Sequence, residues 1–143
     1  MIRRLKIYFI HSTKYDYNNI LYKQLLTSSI LNKHELILPC SKTYNTKYYK
    51  DLINSADLII GEVSKPSFGM GFELKYAMKQ DKPKLYFSFN NEVSKKISKY
   101  IPEINEVNDT YTFLNLIEEF VNKYANLKEE EVQAKTTILG KID

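Results

Sequence analysis

A chain of 143 residues, 43% hydrophobic and with only 4 Gly and 4 Pro, suits one ordered domain with one core and excludes a disordered or low-complexity protein. Its single cysteine, Cys40, excludes an internal disulfide framework and a Cys-rich zinc site, and neither the twelve Tyr nor the net charge of +4, with Lys spread along the whole chain, makes a nucleic-acid signature. No apolar run approaches the roughly 20 residues a membrane span needs, and the apolar stretch after Arg3-Arg4 is broken by Lys6 and His11, so neither a membrane association nor a signal peptide is expected and the cytoplasm is the expected compartment.

Leu5 to Ile10 is an apolar, β-prone run and the expected first strand, ending in the polar turn His11-Ser12-Thr13-Lys14. A helix is expected from about Tyr15 to Asn32, because Leu21/Leu25 and Tyr22/Leu26/Ile30 fall at i, i+4 spacing. His34 to Leu38 reads as the second strand, stopped by Pro39. Ser41 to Ser55 is expected to contain a helix, with Ser41 or Asn45 as its N-cap and Leu52-Ile53 as its apolar contribution. Asp57 opens a third strand whose run Leu58-Ile59-Ile60 is fully apolar, as in a parallel strand covered on both faces, and Gly61 lets it leave the sheet. After a loop with Pro66, Gly69 and Gly71, the residues Met70, Leu74, Ala77 and Met78 form the core stripe of a helix, with Glu73 beside it near the helix start. Lys84 to Phe89 is the fourth strand, Asn90 to Tyr100 a Lys-rich loop or short helix, and Glu106-Val107 a short fifth strand. Asn108 or Asp109 is expected to cap a final helix to about Leu127. Residues 128–143 are expected to be a helix extension or tail outside the main domain of residues 1–127, docking on a partner subunit.

The strand–helix alternation predicts a three-layer α/β domain: a doubly wound, flavodoxin- or Rossmann-like, mainly parallel five-stranded sheet in the order 2-1-3-4-5. Its ligand crevice would lie between strands 1 and 3, so the turn after His11 and the turn after Glu62 are expected to meet there. Seen singly, each residue has a plain reading. Two glycines at a loop-to-helix junction are turn chemistry, and Glu73 is an exposed carboxylate favoured by the helix dipole. Asp57 anchors a strand start, Ser67 is a turn hydroxyl, Tyr8 is core, and Cys40 is inert. His11 and His34 lack partners at ligand spacing, so no metal is expected, and no sequence feature calls for a cofactor.

Taken together, Asp57 to Leu74 (DLIIGEVSKPSFGMGFEL) closely resembles the signature of the nucleoside 2-deoxyribosyltransferase superfamily, in particular its 2'-deoxynucleoside 5'-phosphate N-hydrolase branch. Lys6 to Ser12 (KIYFIHS) resembles that family's first strand and its following turn. The resemblance implies cleavage of an N-glycosidic bond, with Glu73 as the nucleophile at C1' and Tyr8 beside the sugar. It implies that Ser67 binds the 5'-phosphate, backed by Gly69 and Gly71, with Ser12 and, from a neighbouring subunit, Ser98 also reaching it; Glu62 begins the same motif and joins the substrate-binding set. It further implies a small-molecule deoxynucleotide or nucleoside as ligand and a homodimer or larger homo-oligomer. Two features depart from the family pattern. Thr13-Lys14-Tyr15 stand where the family has Arg-Gly-Gly, with His11 at the family's Gly, so Lys14 would supply the charge as a point donor. The family's Asp eight residues before the strand-opening Asp falls on Tyr49, leaving Asp51 as the candidate to handle the leaving base. Base exchange by a deoxyribosyltransferase, a non-catalytic nucleotide-binding module on the same fold, and a flavodoxin- or receiver-like protein are the rival readings.

Overall fold

A computed structural model describes residues 2–89 and 95–142, and the side chains of 2–89 and 97–126. Five strands form one all-parallel sheet in the order β2-β1-β3-β4-β5: β1 (Lys6–Ile10), β2 (Glu35–Ile37), β3 (Leu58–Glu62), β4 (Lys84–Phe89) and β5 (Asn105–Val107). The register sets Tyr8 beside Ile37 on one side and Ile59 on the other, and Ile10 beside Gly61. Side chains alternate across the sheet. Ile7, Phe9, Leu58, Ile60 and Phe87 meet α1 (Lys23–Thr27) and α5 (Thr110–Ile142) on one face. Tyr8, Ile10, Ile59 and Tyr86 meet α2 (Tyr49–Ser55), α3 (Phe68–Met78) and α4 (Lys95–Ser98) on the other. This is the three-layer, Rossmann-like α/β architecture expected of the strand–helix alternation. Among the described residues no helix is long and apolar enough to cross a membrane.

Local chemistry corrects several boundaries. The helix expected over residues 15–32 is shorter and irregular. A π-helical segment (Asn18–Tyr22) runs directly into α1, which ends where Ser28 turns extended at φ −81°, ψ 117°. Ser28 is held there by its hydroxyl, which donates to Glu118 at 2.6 Å and accepts from the Leu31 amide at 3.1 Å. The Asn32 amide takes the carbonyls of Leu25, Leu26 and Ser28, and so satisfies the helix end. Neither Ser41 nor Asn45 caps α2. Ser41 instead donates to the Leu38 carbonyl in a tight turn, and α2 starts only after Tyr48, which gives it no side-chain cap. At α5 it is Asp109 that caps: its carboxylate accepts from the Thr112 amide at 2.7 Å, and that bond lowers its pKa. The α5 backbone continues without a break from the expected end near Leu127 to Ile142, so residues 128–142 are helix. The docking expected of their side chains, and the segment 90–94, lie outside the described side chains and residues.

Two residues pin the amino ends of β1 and β3. Asp57 accepts from the Lys6 amide at 2.8 Å, with Arg3 3.7 Å away, as expected of an anchor at a strand start. His34 is buried, and its Nδ1 accepts from the Leu5 amide at 3.0 Å. Burial, then the charges of Arg4 and Lys33, hold its imidazole below the ordinary range. A lowered folded-state pKa means that the unfolded chain binds a proton that the folded chain refuses. Stability is therefore complete above the unfolded value of about 6.5 and falls as the pH drops below it. The share of His34 is read as the difference between wild type and His34→Asn, which keeps an acceptor near Nδ1: in thermal melts from pH 8 to 5 the variant should lose less stability on acidification than the wild type. His11, lowered in the same direction, adds to the acid loss, while the Glu73 carboxyl, raised to about 7, opposes it in both proteins by binding a proton in the folded state.

Gly61 is a packing requirement. A Cβ there would lie 2.7 Å from Cδ1 and 3.0 Å from Cε1 of Tyr86, whose ring covers the strand. Gly61→Ala should cost about 1–3 kcal/mol in chemical denaturation, and Tyr86→Leu should relieve part of that loss.

Candidate active site

The site is built where β1 and β3 leave the sheet. Tyr8 points to the α3 face because it alternates with Ile7 and Phe9, and it is fully buried. Its hydroxyl donates to Oε1 of Glu73, which sits half-buried on the second turn of α3. Burial raises the Glu73 carboxyl to about 7, against the opposing pull of the Tyr8 hydrogen bond. Burial and the Glu73 charge push the Tyr8 phenol far above its ordinary value, so Tyr8 stays protonated and donates. The pair is a carboxylate tuned to neutral pH and held in place by one fixed donor. That suits a nucleophile or a proton-transfer group rather than a surface charge.

The start of α3 is prepared for an anion. Ser67 is the N-cap, at φ −136°, and its Oγ accepts from the Met70 amide at 3.2 Å, which leaves the hydroxyl proton to give. A Cβ added at Gly69 or Gly71 would meet nothing within 4 Å, so glycine here is not demanded by packing and leaves those two positions of the first turn open, next to the exposed Phe68. Backbone amides at such a turn receive phosphate or carboxylate.

The other expected site residues fall in different places. Ser12 is fully buried; its Oγ accepts from the Lys14 amide at 3.0 Å and closes the turn after β1, while Lys14 itself is exposed. His11 is buried, with Nδ1 2.9 Å from the Ser12 carbonyl and Nε2 2.6 Å from the Tyr22 hydroxyl. Glu62 is 1% exposed and points to the α1 side of the sheet, where it accepts from the Ser64 amide at 3.0 and 3.1 Å and from the Ser64 hydroxyl. It shapes its own loop. Asp51 is exposed in the first turn of α2, and no hydrogen bond among the described residues joins it to Tyr8 or Glu73. Ser98 is exposed at the end of α4.

Sequence reasoning missed Tyr22 and Cys40 as neighbours of the site. The Cys40 amide donates to the Tyr22 hydroxyl at 3.0 Å, and both side chains lie near enough to Tyr8 to add to its upward shift. The Tyr22 spacing marked only a helix, and Cys40 follows Pro39 with no motif of its own; contact between them needed the β1–β2 pairing. A groove of about 660 Å³ runs between α3 and α4, lined by Gly71, Leu74, Met78, Ile97, Tyr100 and Ile101. At 100° per residue Glu73 faces away from it, toward β1, so the groove is separate from the chemistry. Among the described residues no group of three His, Cys, Asp or Glu side chains could hold a metal.

Fold and site together define a doubly wound α/β domain with a tyrosine-held, neutral-pH carboxylate at its switch point. No family model matches the chain, and no curated protein is significantly similar to it.

The Tyr8 bond lowers the Glu73 pKa, so its removal should raise it. In Tyr8→Phe the Glu73 ionisation, followed by carboxyl NMR, should move from about 7 to a higher pH. An unchanged titration would show that the bond does not tune the carboxylate.

Proposed function

We propose that the chain is an N-glycosidase of 2'-deoxynucleoside 5'-monophosphates, releasing free base and deoxyribose 5-phosphate, and that it belongs with the nucleoside 2-deoxyribosyltransferase-like proteins its motifs resemble. The observation that carries this reading is the buried Tyr8 donating to Glu73, one turn beyond a Ser67-capped helix start that carries Gly69 and Gly71. Ionised Glu73 attacks C1' and forms an ester bond as the N-glycosidic bond breaks, its electron pair leaving with the base, which takes a proton from water. A second water then attacks C1' and gives its proton to the hydroxide left by the first, the glycosyl–Glu73 bond breaks, and the carboxylate is restored. The phosphate sits on the Ser67 hydroxyl and the backbone amides around Gly69 and Gly71, within the pull of Lys14. A bond to the substrate's single anomeric carbon needs no metal or redox partner, and the reading includes neither.

The same intermediate attacked by a second base gives deoxyribosyl transfer. Lys14, without the two-pronged geometry of an Arg, and the exposed Asp51 favour the other rival: a module that binds a nucleotide and turns it over slowly or not at all. The reading includes a cytoplasmic homodimer. Its support is an exposed apolar strip beside the α3–α4 groove, with Phe68 88%, Phe72 63% and Tyr100 67% exposed, unusual for aromatic side chains on a monomer surface.

Each deoxynucleoside monophosphate, incubated alone and with a free second base, distinguishes these readings by chromatography. Free base without exchange is expected; exchange would move the protein to the transferases, and nucleotide-dependent stabilisation without either product would favour the binding module. Glu73→Gln should fold normally and lose turnover by several orders of magnitude, with a retained rate overturning the nucleophile assignment.

A further inference from the structure

His11, Tyr22 and the Cys40 amide form a hydrogen-bonded chain that the proposed chemistry does not use. The Ser12 carbonyl can only accept, so His11 Nδ1, 2.9 Å away, carries the proton. Nε2 of the neutral ring is then a bare acceptor, and the Tyr22 hydroxyl at 2.6 Å must donate to it. The Tyr22 oxygen in turn accepts from the Cys40 amide at 3.0 Å. Direction is thereby fixed from the exit of β2, through the helical segment, to the turn after β1. Tyr17 lies against the imidazole at 4.9 Å between ring centres and against Tyr22 at 5.1 Å, so the ring is held on its face as well as at both nitrogens. Within the turn Ser12 is buried while Thr13 and Lys14 are exposed, and the Ser12 Oγ bond to the Lys14 amide is internal to the turn, so among the described hydrogen bonds the Nδ1 bond of His11 to the Ser12 carbonyl is what ties the turn to the helical segment.

We propose that His11 and Tyr22 are positioning residues whose hydrogen bond fixes the Ser12–Lys14 turn as a preformed clamp for the anionic group of the ligand. In the reading above, on which this inference rests, that group is the 5'-phosphate. Neither side chain touches the phosphate: His11 grips the Ser12 carbonyl, and the turn presents Lys14 and its own backbone. A turn already in place spares the ordering that a loose one would undergo on binding, so its loss falls on recognition of the phosphate rather than of the sugar or base.

Tyr22→Phe tests this. It removes the donor to His11 and the acceptor for the Cys40 amide, and circular dichroism and a melt check its fold. Hydrogen exchange at the Lys14 amide should quicken roughly five- to tenfold, the worth of one net hydrogen bond. The ratio of kcat/KM for a deoxynucleoside monophosphate to that for the unphosphorylated deoxynucleoside should fall by a similar factor. His11→Ala should have the same effect, and the double variant no more than either single one. An unchanged ratio with unchanged Lys14 exchange overturns the clamp. If the wild-type protein releases no base at all, the N-glycosidase reading fails separately. Inorganic phosphate then decides: a shift of the Lys14 amide resonance in the wild type, weakened in Tyr22→Phe, supports the clamp, and its absence overturns it.

Discussion

The hydrogen bond from Tyr8 to Glu73 joins β1 to α3, the helix that follows its neighbour β3, and the rest of the site is arranged about it. Tyr8 cannot turn away, because it is enclosed between β2, β3 and the α2–α3 layer. Glu73 cannot leave without stranding a buried phenol, which would cost about 1–3 kcal/mol. The same burial that fixes the pair raises the Glu73 carboxyl to about 7. One contact therefore sets both the geometry and the protonation of the group best placed to react.

Parity along β3 divides the carboxylates of the motif between two sides. Ile59 and Gly61 face α3, and Leu58, Ile60 and Glu62 face α1. Glu62 is thus committed to the opposite side of the sheet from Glu73, and its short reach is taken up by the amide and hydroxyl of Ser64. It keeps the chain leaving β3 in a fixed path toward Ser67, and its charge also reaches Tyr15 behind the turn after β1. Gly61 serves the other face: without a side chain it lets Tyr86 lie flat against the strand beneath the α3–α4 layer.

The sheet order was legible in the sequence because it follows from periodicity, apolar runs separated by helical stripes; alternation with Ile7 and Phe9 marked Tyr8 only as core, and its place beside Glu73 was an implication of the family resemblance. The capping of α5 by Asp109 was legible for a local reason. The irregular helix before β2 was not, since its end depends on Ser28 reaching Glu118, ninety residues away. Nor was the role of His11. A histidine after a strand has no local partner to announce it, and its partners are a helix phenol and a carbonyl brought in by the turn. Asp51 was placed near the chemistry by counting along the chain, but α2 begins at Tyr49 and leaves that carboxylate in solvent.

The consequence for mechanism is that one carboxylate stands alone. A two-carboxylate glycosidase separates its tasks by giving one group a raised pKa and the other a low one. Here the second group is missing from the described contacts of Glu73, and the tyrosine beside it is too weak an acid to protonate a leaving base. A nucleobase departs more readily than a sugar alkoxide, because its ring nitrogens spread the negative charge and can take a proton from water. A lone carboxylate at about 7, half ionised at neutral pH, is adequate to that leaving group and poorly matched to an ordinary glycoside. Under the proposed function, such a site fits a bond between an anomeric carbon and a good nitrogen leaving group better than an ordinary glycoside.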